Sequence, residues 1–329
     1  MIITRVPFRV SFCGGGSDLP AFYEKEAGCV ISTTIKKYMY ITIHKNFFSD
    51  QIVLKYSQTE KVDDVDKIEH KIFKQCLKDF KMTGVEISSV ADIPSGTGLG
   101  SSSSFTVALL DLLHAYNGEF RSKHELAKEA CNIEINELKK PIGKQDQYAA
   151  AFGGFNYMEF LQDDHVIVNP LRIKPWVVEE LESSLLLFFT GASRSSAKII
   201  DEQKKNTREK NATAIEAMHQ IKQSAIDMKT AILHGDINSF ASILGKAWEE
   251  KKKMAQSITN PTIQEAFDKA LNAGAIAGKV SGAGGGGFIM FVVEPTKRKN
   301  VERALSTLDG RVVEFQFSDK GTQSWKIFE

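Results

Sequence analysis

Long apolar runs are missing from this chain of 329 residues, and with them any expected membrane span. The longest runs, such as Phe288–Val293, fall far short of the roughly 20 residues that cross a bilayer. An excess of one charge is missing too: 42 lysines and arginines stand against 41 acids, for a formal net charge of +1. The basic clusters Lys204-Lys205 and Lys251-Lys252-Lys253 sit in helical patterns with acids nearby and read as solvated helix faces, so no nucleic acid is expected as a partner. Cysteine is scarce. Cys13, Cys29, Cys76 and Cys131 are widely spaced, with no C-x-x-C and no histidine at metal-ligand spacing, which points to buried reduced thiols rather than a disulfide framework or structural zinc. Residues 1–10 carry Arg5 and Arg9 and lack a small-residue cleavage site, so no signal peptide and a cytoplasmic location are expected.

Two common nucleotide motifs are absent as well. No G-x-x-x-x-G-K-[ST] occurs, and no G-x-G-x-x-G is followed by an acid about 20 residues on. What the chain has instead is glycine in three clusters: Gly14-Gly15-Gly16, the alternating Gly96, Gly98 and Gly100, and Gly282 with Gly284 to Gly287, together eleven of its 24 glycines. Glycine costs about 0.5–1 kcal/mol relative to alanine in a regular element, so such clusters mark backbone that must lie against something. The middle cluster continues into Ser101-Ser102-Ser103-Ser104 and then an apolar helix. Flexible glycines before a helix start, free N–H groups and a positive dipole end together hold anions, and serine hydroxyls add donors to phosphate or a ligand to a divalent cation.

Strand signals at Thr4–Cys13, Tyr38–His44, Ile52–Tyr56 and Val85–Ala91 alternate with helical ones over 64–81 and Phe105–Tyr116. A helix over Lys123–Leu138 starts in a capping box formed by Ser122 and Glu125. Pro141-Ile142-Gly143 is a loop leading into Lys144–Tyr148, and Gly153-Gly154 turns the chain toward strands that include Phe155–Phe160. The pattern changes near Pro170–Pro175, which sets an expected division into domains 1–175 and 176–329. The second half reads as strand Leu185–Thr190, a long helix with Ile215, Met218, Ile221, Ala225, Met228 and Ile232 on one face, helices near Ile237–Met254 and Pro261–Ala273, strand Phe288–Val293, helix Arg298–Leu308 and a strand near Val312–Phe317. Two blocks of mixed strands and helices give an α+β, two-domain protein.

Taken in order, the segments Arg9–Asp18, Pro94–Ser104 (in the form P-x-x-x-G-L-G-S-S) and Lys279–Phe288 resemble the three signatures of the GHMP small-molecule kinases, and the likeness covers essentially the whole chain. It implies the two-domain GHMP kinase fold, with an N-terminal ribosomal-protein-S5-domain-2-like α/β domain and a C-terminal ferredoxin-like α+β domain. Within the family, Pro7–Pro20, Thr190–Arg194 and Ala247–Lys252 are most similar to the D-glycero-D-manno-heptose 7-phosphate kinases. The L-fucose kinases have a similar first motif, whereas the galactose-binding Glu-His pair of galactokinase would fall on Gly15 and Gly16.

The resemblance assigns roles residue by residue. Gly96, Gly98, Leu99, Gly100, Ser101, Ser102 and Ser103 would hold the phosphates of ATP, the co-substrate. Ser102 and Glu134 would ligate Mg2+; helix 123–138 also carries Glu125, Glu129 and Glu137, and only the match, twelve residues before Asp146, singles out Glu134. Asp146 would accept or orient the proton of the attacking hydroxyl, with Arg9 as the cation beside it. Asp18 would accept from a sugar hydroxyl, Gly14, Gly15 and Gly16 would lie against the ring, and Gly284 and Gly285 would close from the other side. A sugar phosphate also needs a cationic pocket, for which Arg194 leads and Lys45 and Lys252 follow. The implied activity is phosphorylation of the anomeric hydroxyl of heptose 7-phosphate to the 1,7-bisphosphate, in nucleotide-activated heptose synthesis for surface polysaccharide. A kinase of unphosphorylated fucose or galactose and a non-catalytic sugar and ATP sensor are the alternatives. A homodimer is compatible with the sequence.

Overall fold

A computed structural model describes residues 1–47, 49–191, 199–203, 206 and 212–327. Strands β1 (Ile2–Cys13), β2 (Gly28–Lys45), β3 (Ile52–Lys55), β4 (Thr59–Val62), β5 (Val85–Ala91), β6 (Asn156–Phe160) and β7 (Val166–Pro170) belong to one sheet. The four strands β8 (Leu185–Phe189), β9 (Ala275–Val280), β10 (Phe288–Val293) and β11 (Arg311–Val313) form a second, antiparallel sheet in the order β11-β8-β10-β9. The chain then returns. Strands β12 (Phe317–Ser318) and β13 (Gln323–Lys326) pair with β2 and β1 of the first sheet, so the sequence-based unit 176–329 spans both sheets.

Every residue of β1 from Val6 to Cys13 is buried, including Arg9 and Ser11, because helices cover it on more than one side. Helix Ser101–Tyr116 packs on β1 and β2, and so does the long helix Ala212–His234. The first of these is buried almost all the way round, as its composition requires. Helix Ile237–Lys253 lies between two cores. Its Phe240 and Leu244 pack in the first core, with the Phe240 ring 5.2 Å from that of Phe12, while Trp248 stacks on Phe267 in the second. Truncating a buried phenylalanine at such a junction costs about 3–5 kcal/mol, so Phe12→Ala should loosen the seam between the two halves.

The capping box forms as expected, with Ser122 and Glu125 exchanging hydrogen bonds. Beyond Cys131, however, the expected α-helix widens into a π-helical stretch, Asn132–Glu137, in which Leu138 N donates to Ile133 O at 2.9 Å. Residues 145–148, placed after the loop, are helical: Gln145–Phe152 is a helix that ends at Gly153 with φ +67°. Its run of alanines favours the helix, and it carries Asp146 in its first turn.

Candidate active site

Arg9 and Asp146 meet at the wall of a cavity between the glycine loops. The guanidinium donates Nε to Oδ1 and Nη2 to Oδ2, both at 2.7 Å, and Nη1 to the carbonyl of Gly98 at 2.6 Å. This two-pronged geometry is the strong form of an arginine–carboxylate pair. Burial pushes the Asp146 carboxyl above its ordinary value, against the pull of the Arg9 charge and its hydrogen bonds. Backbone placement is equally direct, since Arg9 N donates to Leu99 O at 3.1 Å and ties β1 to the serine-rich loop.

Gly100, at φ +78°, ends that loop in the left-handed region and leads into the helix whose first residues are Ser101, Ser102 and Ser103. These three serines, with Gly96, Gly98 and Gly100, line the cavity and present a helix N-terminus to it. A Cβ on Gly100 would stand 3.3 Å from both Arg9 Cγ and Asp146 Oδ2, so this glycine keeps the loop close to the pair.

Ser102 and Glu134 form a second cluster. Glu134, fully buried in the π-helical stretch, accepts at Oε1 from Ser102 Oγ (2.9 Å) and Lys140 Nζ (2.8 Å), and at Oε2 from Gln147 Nε2 (2.8 Å). Lys140 Nζ also donates to Ser102 Oγ at 2.9 Å, so an ammonium sits between the two oxygens. A place that accepts a cation between a carboxylate and a hydroxyl suits Mg2+, which binds through one or two protein oxygens and completes its shell with phosphates and water. Among the described residues no group of three His, Cys, Asp or Glu side chains could hold a metal by itself.

The remaining expected residues divide. Gly15, Gly16 and Asp18 line the cavity. The Asp18 carboxylate already accepts from Gly16 N, Gln145 N and Gln145 Nε2, and so clips the first glycine turn to the Asp146 helix. Gly14, Leu99, Gly284 and Gly285 stand behind the wall. A Cβ on Gly14 would be 2.0 Å from Cys29 O, Leu99 is wholly buried, and Gly284 and Gly285 pack on Ile258, leaving Gly282 and Ala283 to face the cavity. Gly98, Gly282 and Gly287 turn out to lie against each other's loops, where any Cβ would come within 3 Å of backbone. Lys252 points away and pairs with Glu249, Lys45 is exposed at the end of β2, and Arg194 lies outside the described residues.

Three lysines were missed. Lys140, Lys251 and Lys279 all line the cavity. Helical phase gave one signal: Leu244, Trp248 and Lys251 follow one another by four and three residues, which puts Lys251 and not Lys252 on the buried face.

Comparison with known proteins gives the family. The GHMP kinases N terminal domain matches residues 67–154 and the GHMP kinases C terminal domain matches residues 228–309. The D-glycero-alpha-D-manno-heptose 7-phosphate kinase of Campylobacter jejuni subsp. jejuni serotype O:2 is 38% identical over 99% of both chains. This chain is a GHMP kinase. The solved structure of a D-glycero-D-manno-heptose 1-phosphate kinase from Bacteroides thetaiotaomicron covers 100% of both chains at 41% identity, with a TM-score of 0.83. The L-fucokinase/L-fucose-1-P guanylyltransferase of Bacteroides fragilis is a more distant GHMP relative, 26% identical over 97% of this chain and 38% of its own length. The fold of the GHMP kinases is thus this chain's fold, and as a member of the family it is a phosphotransferase. Among its described residues no helix is long and apolar enough to cross a membrane.

Proposed function

We propose that this GHMP kinase transfers the γ-phosphoryl group of ATP to the anomeric hydroxyl of D-glycero-D-manno-heptose 7-phosphate, giving the 1,7-bisphosphate and ADP. The observation that carries the reading is the Arg9–Asp146 pair at the mouth of the serine-rich helix, in a chain 38% identical throughout to a relative named for that activity. The hydroxyl oxygen would form a bond to the γ-phosphorus as the bridge to the β-phosphate breaks, and its proton would pass to Asp146. A carboxyl raised by burial is better matched to that proton than an ordinary aspartate, and Arg9 keeps it ionised and aimed. Backbone N–H groups at Ser101–Ser103 would hold the nucleotide phosphates, because phosphoryl transfer depends mainly on positioning and on spreading of charge. Mg2+, which Ser102 and Glu134 would hold, supplies charge neutralisation on the transferring group. We place the reaction in the cytoplasm, where ATP is at hand.

A panel measuring ADP release tests this. Turnover is expected with heptose 7-phosphate and not with free fucose or galactose. The name of the Bacteroides relative favours a second reading, in which the acceptor is heptose 1-phosphate. Offering the two monophosphates separately decides between them. Turnover confined to free sugars would overturn both.

A further inference from the structure

The cavity holds two cations for which Arg9 and Asp146 have no use. Lys251, at the C-terminal end of helix Ile237–Lys253, donates its Nζ to Gly15 O at 2.8 Å and to Gln203 Oε1 at 3.5 Å. Lys279, on β9, donates to Ser11 O at 2.8 Å. Each is only 6% exposed, and among the described residues neither has a carboxylate within ion-pair distance. Carbonyl oxygens solvate an ammonium but do not neutralise it, and a buried charge without a counter-charge is costly. Burial accordingly pushes Lys251 down to about 8 and Lys279 down to about 7, the latter also under the charges of Lys251 and Arg9. Beside them Ser11 Oγ is buried with no hydrogen-bond partner among the described residues. These groups come from β1, β9 and a helix of the second half, and all three residues line the cavity.

We propose that Lys251, Lys279 and the Ser11 hydroxyl form a second anion site, which holds the phosphate the sugar acceptor already carries. The inference rests on the sugar-phosphate reading above and names the residues that read the phosphate. Both lysines are anchored on the first glycine motif, at Gly15 and Ser11, and not on the serine-rich loop. The nucleotide phosphates have their own donors at the helix N-terminus, so the lysines are free for the other anionic substrate.

The test compares wild type, Lys251→Met, Lys279→Met and the milder Ser11→Ala. In turnover, Lys251→Met should lower the preference for heptose 7-phosphate over the unphosphorylated heptose by about 10- to 100-fold, the size of a lost charge-assisted hydrogen bond, while the KM for ATP moves less than about threefold. Ser11→Ala should move it the same way by less. In thermal unfolding, inorganic phosphate should stabilise the wild type more than either lysine variant, and the ligand-free lysine variants should melt no lower than the wild type. Equal losses on both sugars, a matching rise in the KM for ATP, or undiminished phosphate stabilisation of the variants would overturn the site. If the wild type turns over no heptose phosphate yet loses its phosphate stabilisation on mutation, the heptose reading fails and the anion site stands.

Discussion

Replacing Asp146 by Asn removes the anion from the Arg9 pair and keeps its shape, and the geometry sizes the result. The guanidinium uses both carboxylate oxygens at 2.7 Å, and Arg9 is 4% exposed while Asp146 is 24% exposed. An amide offers one acceptor and turns an N–H toward the other guanidinium donor, so one charged hydrogen bond worth about 1.5–3 kcal/mol disappears. Stranding one partner of a fully buried pair costs about 3–5 kcal/mol. Partial exposure of Asp146, and the Nη1 bond that Gly98 O still accepts, place Asp146→Asn at about 2–3 kcal/mol of lost stability. If Asp146 takes the hydroxyl proton, kcat/KM should fall by about 10²–10⁴. Arg9→Met leaves the carboxylate without its cation where burial already raises it, so the acid limb of the rate profile should move to higher pH. The double variant should cost less than the sum, with a coupling of about 1–3 kcal/mol. Urea unfolding of the four proteins, with ADP release at saturating ATP, measures both quantities. A coupling below about 0.5 kcal/mol, or an Asp146→Asn enzyme within about tenfold of wild type, would refute the reasoning.

Other consequences are as concrete. Lys140→Met should lower the Mg2+ concentration for half-maximal turnover several-fold, because no ammonium then sits between Ser102 and Glu134, and Glu134→Gln should raise it; a rise for Lys140→Met would instead assign the ammonium to the transfer itself. Gly143→Ala should cost about 1–3 kcal/mol and most activity, since a Cβ there would stand 2.0 Å from Asp18 Oδ2 and spring the clip to Gln145; wild-type melting and turnover would contradict this. The ligand-free protein should gain stability as pH rises from about 7 to 9. The unfolded lysines keep their protons up to about 10.5, whereas folded Lys251 and Lys279 lose them near 8 and 7, so the unfolded state binds more protons across that window. Asp18 near Lys251, and Lys251 and Arg9 near Lys279, are the charged neighbours in play, the Cys13 thiol staying neutral because burial pushes it up to about 12, and a double lysine-to-methionine variant should flatten the rise in urea midpoint.

Strand β10 could be placed from sequence because its six apolar residues run without a break, and β5 because apolar Val85 and Ile87 alternate with polar Glu86 and Ser88. Strand β9 could not, since Gly278 and Lys279 interrupt it. Gly278 is there because the Phe291 ring on β10 occupies the space of its side chain, with a Cβ only 2.6 Å from Phe291 Cδ1. Polar β13 carries no strand signal of its own and exists by pairing with β1. Arg9, Ser102, Glu134 and Asp146 were named from family motifs, and the folded chain brings them together in two hydrogen-bonded clusters. The lysines escaped because lysine is by default a surface residue, although the four- and three-residue steps from Leu244 and Trp248 already set Lys251, and not Lys252, on the inward face. The glycine clusters were read as backbone that must lie against something, and for Gly98, Gly282 and Gly287 part of that something is another loop, since there two loops press backbone to backbone.

The return of β12 and β13 to the first sheet also sets an order of events during translation. The outer edge of β1, whose next residues include Arg9, stays unpaired until residues 323–326 have left the ribosome. Helix Ser101–Tyr116 likewise gains its last partners only then, because its half-buried Asp111 accepts from Thr322 and Ser324. A nascent chain halted before residue 317 therefore leaves the Ile2–Arg5 edge of β1 and the Thr34–Ile35 stretch of β2 open, and the emergence of residues 317–326, rather than completion of the first half, closes the sheet around the strand that carries Arg9.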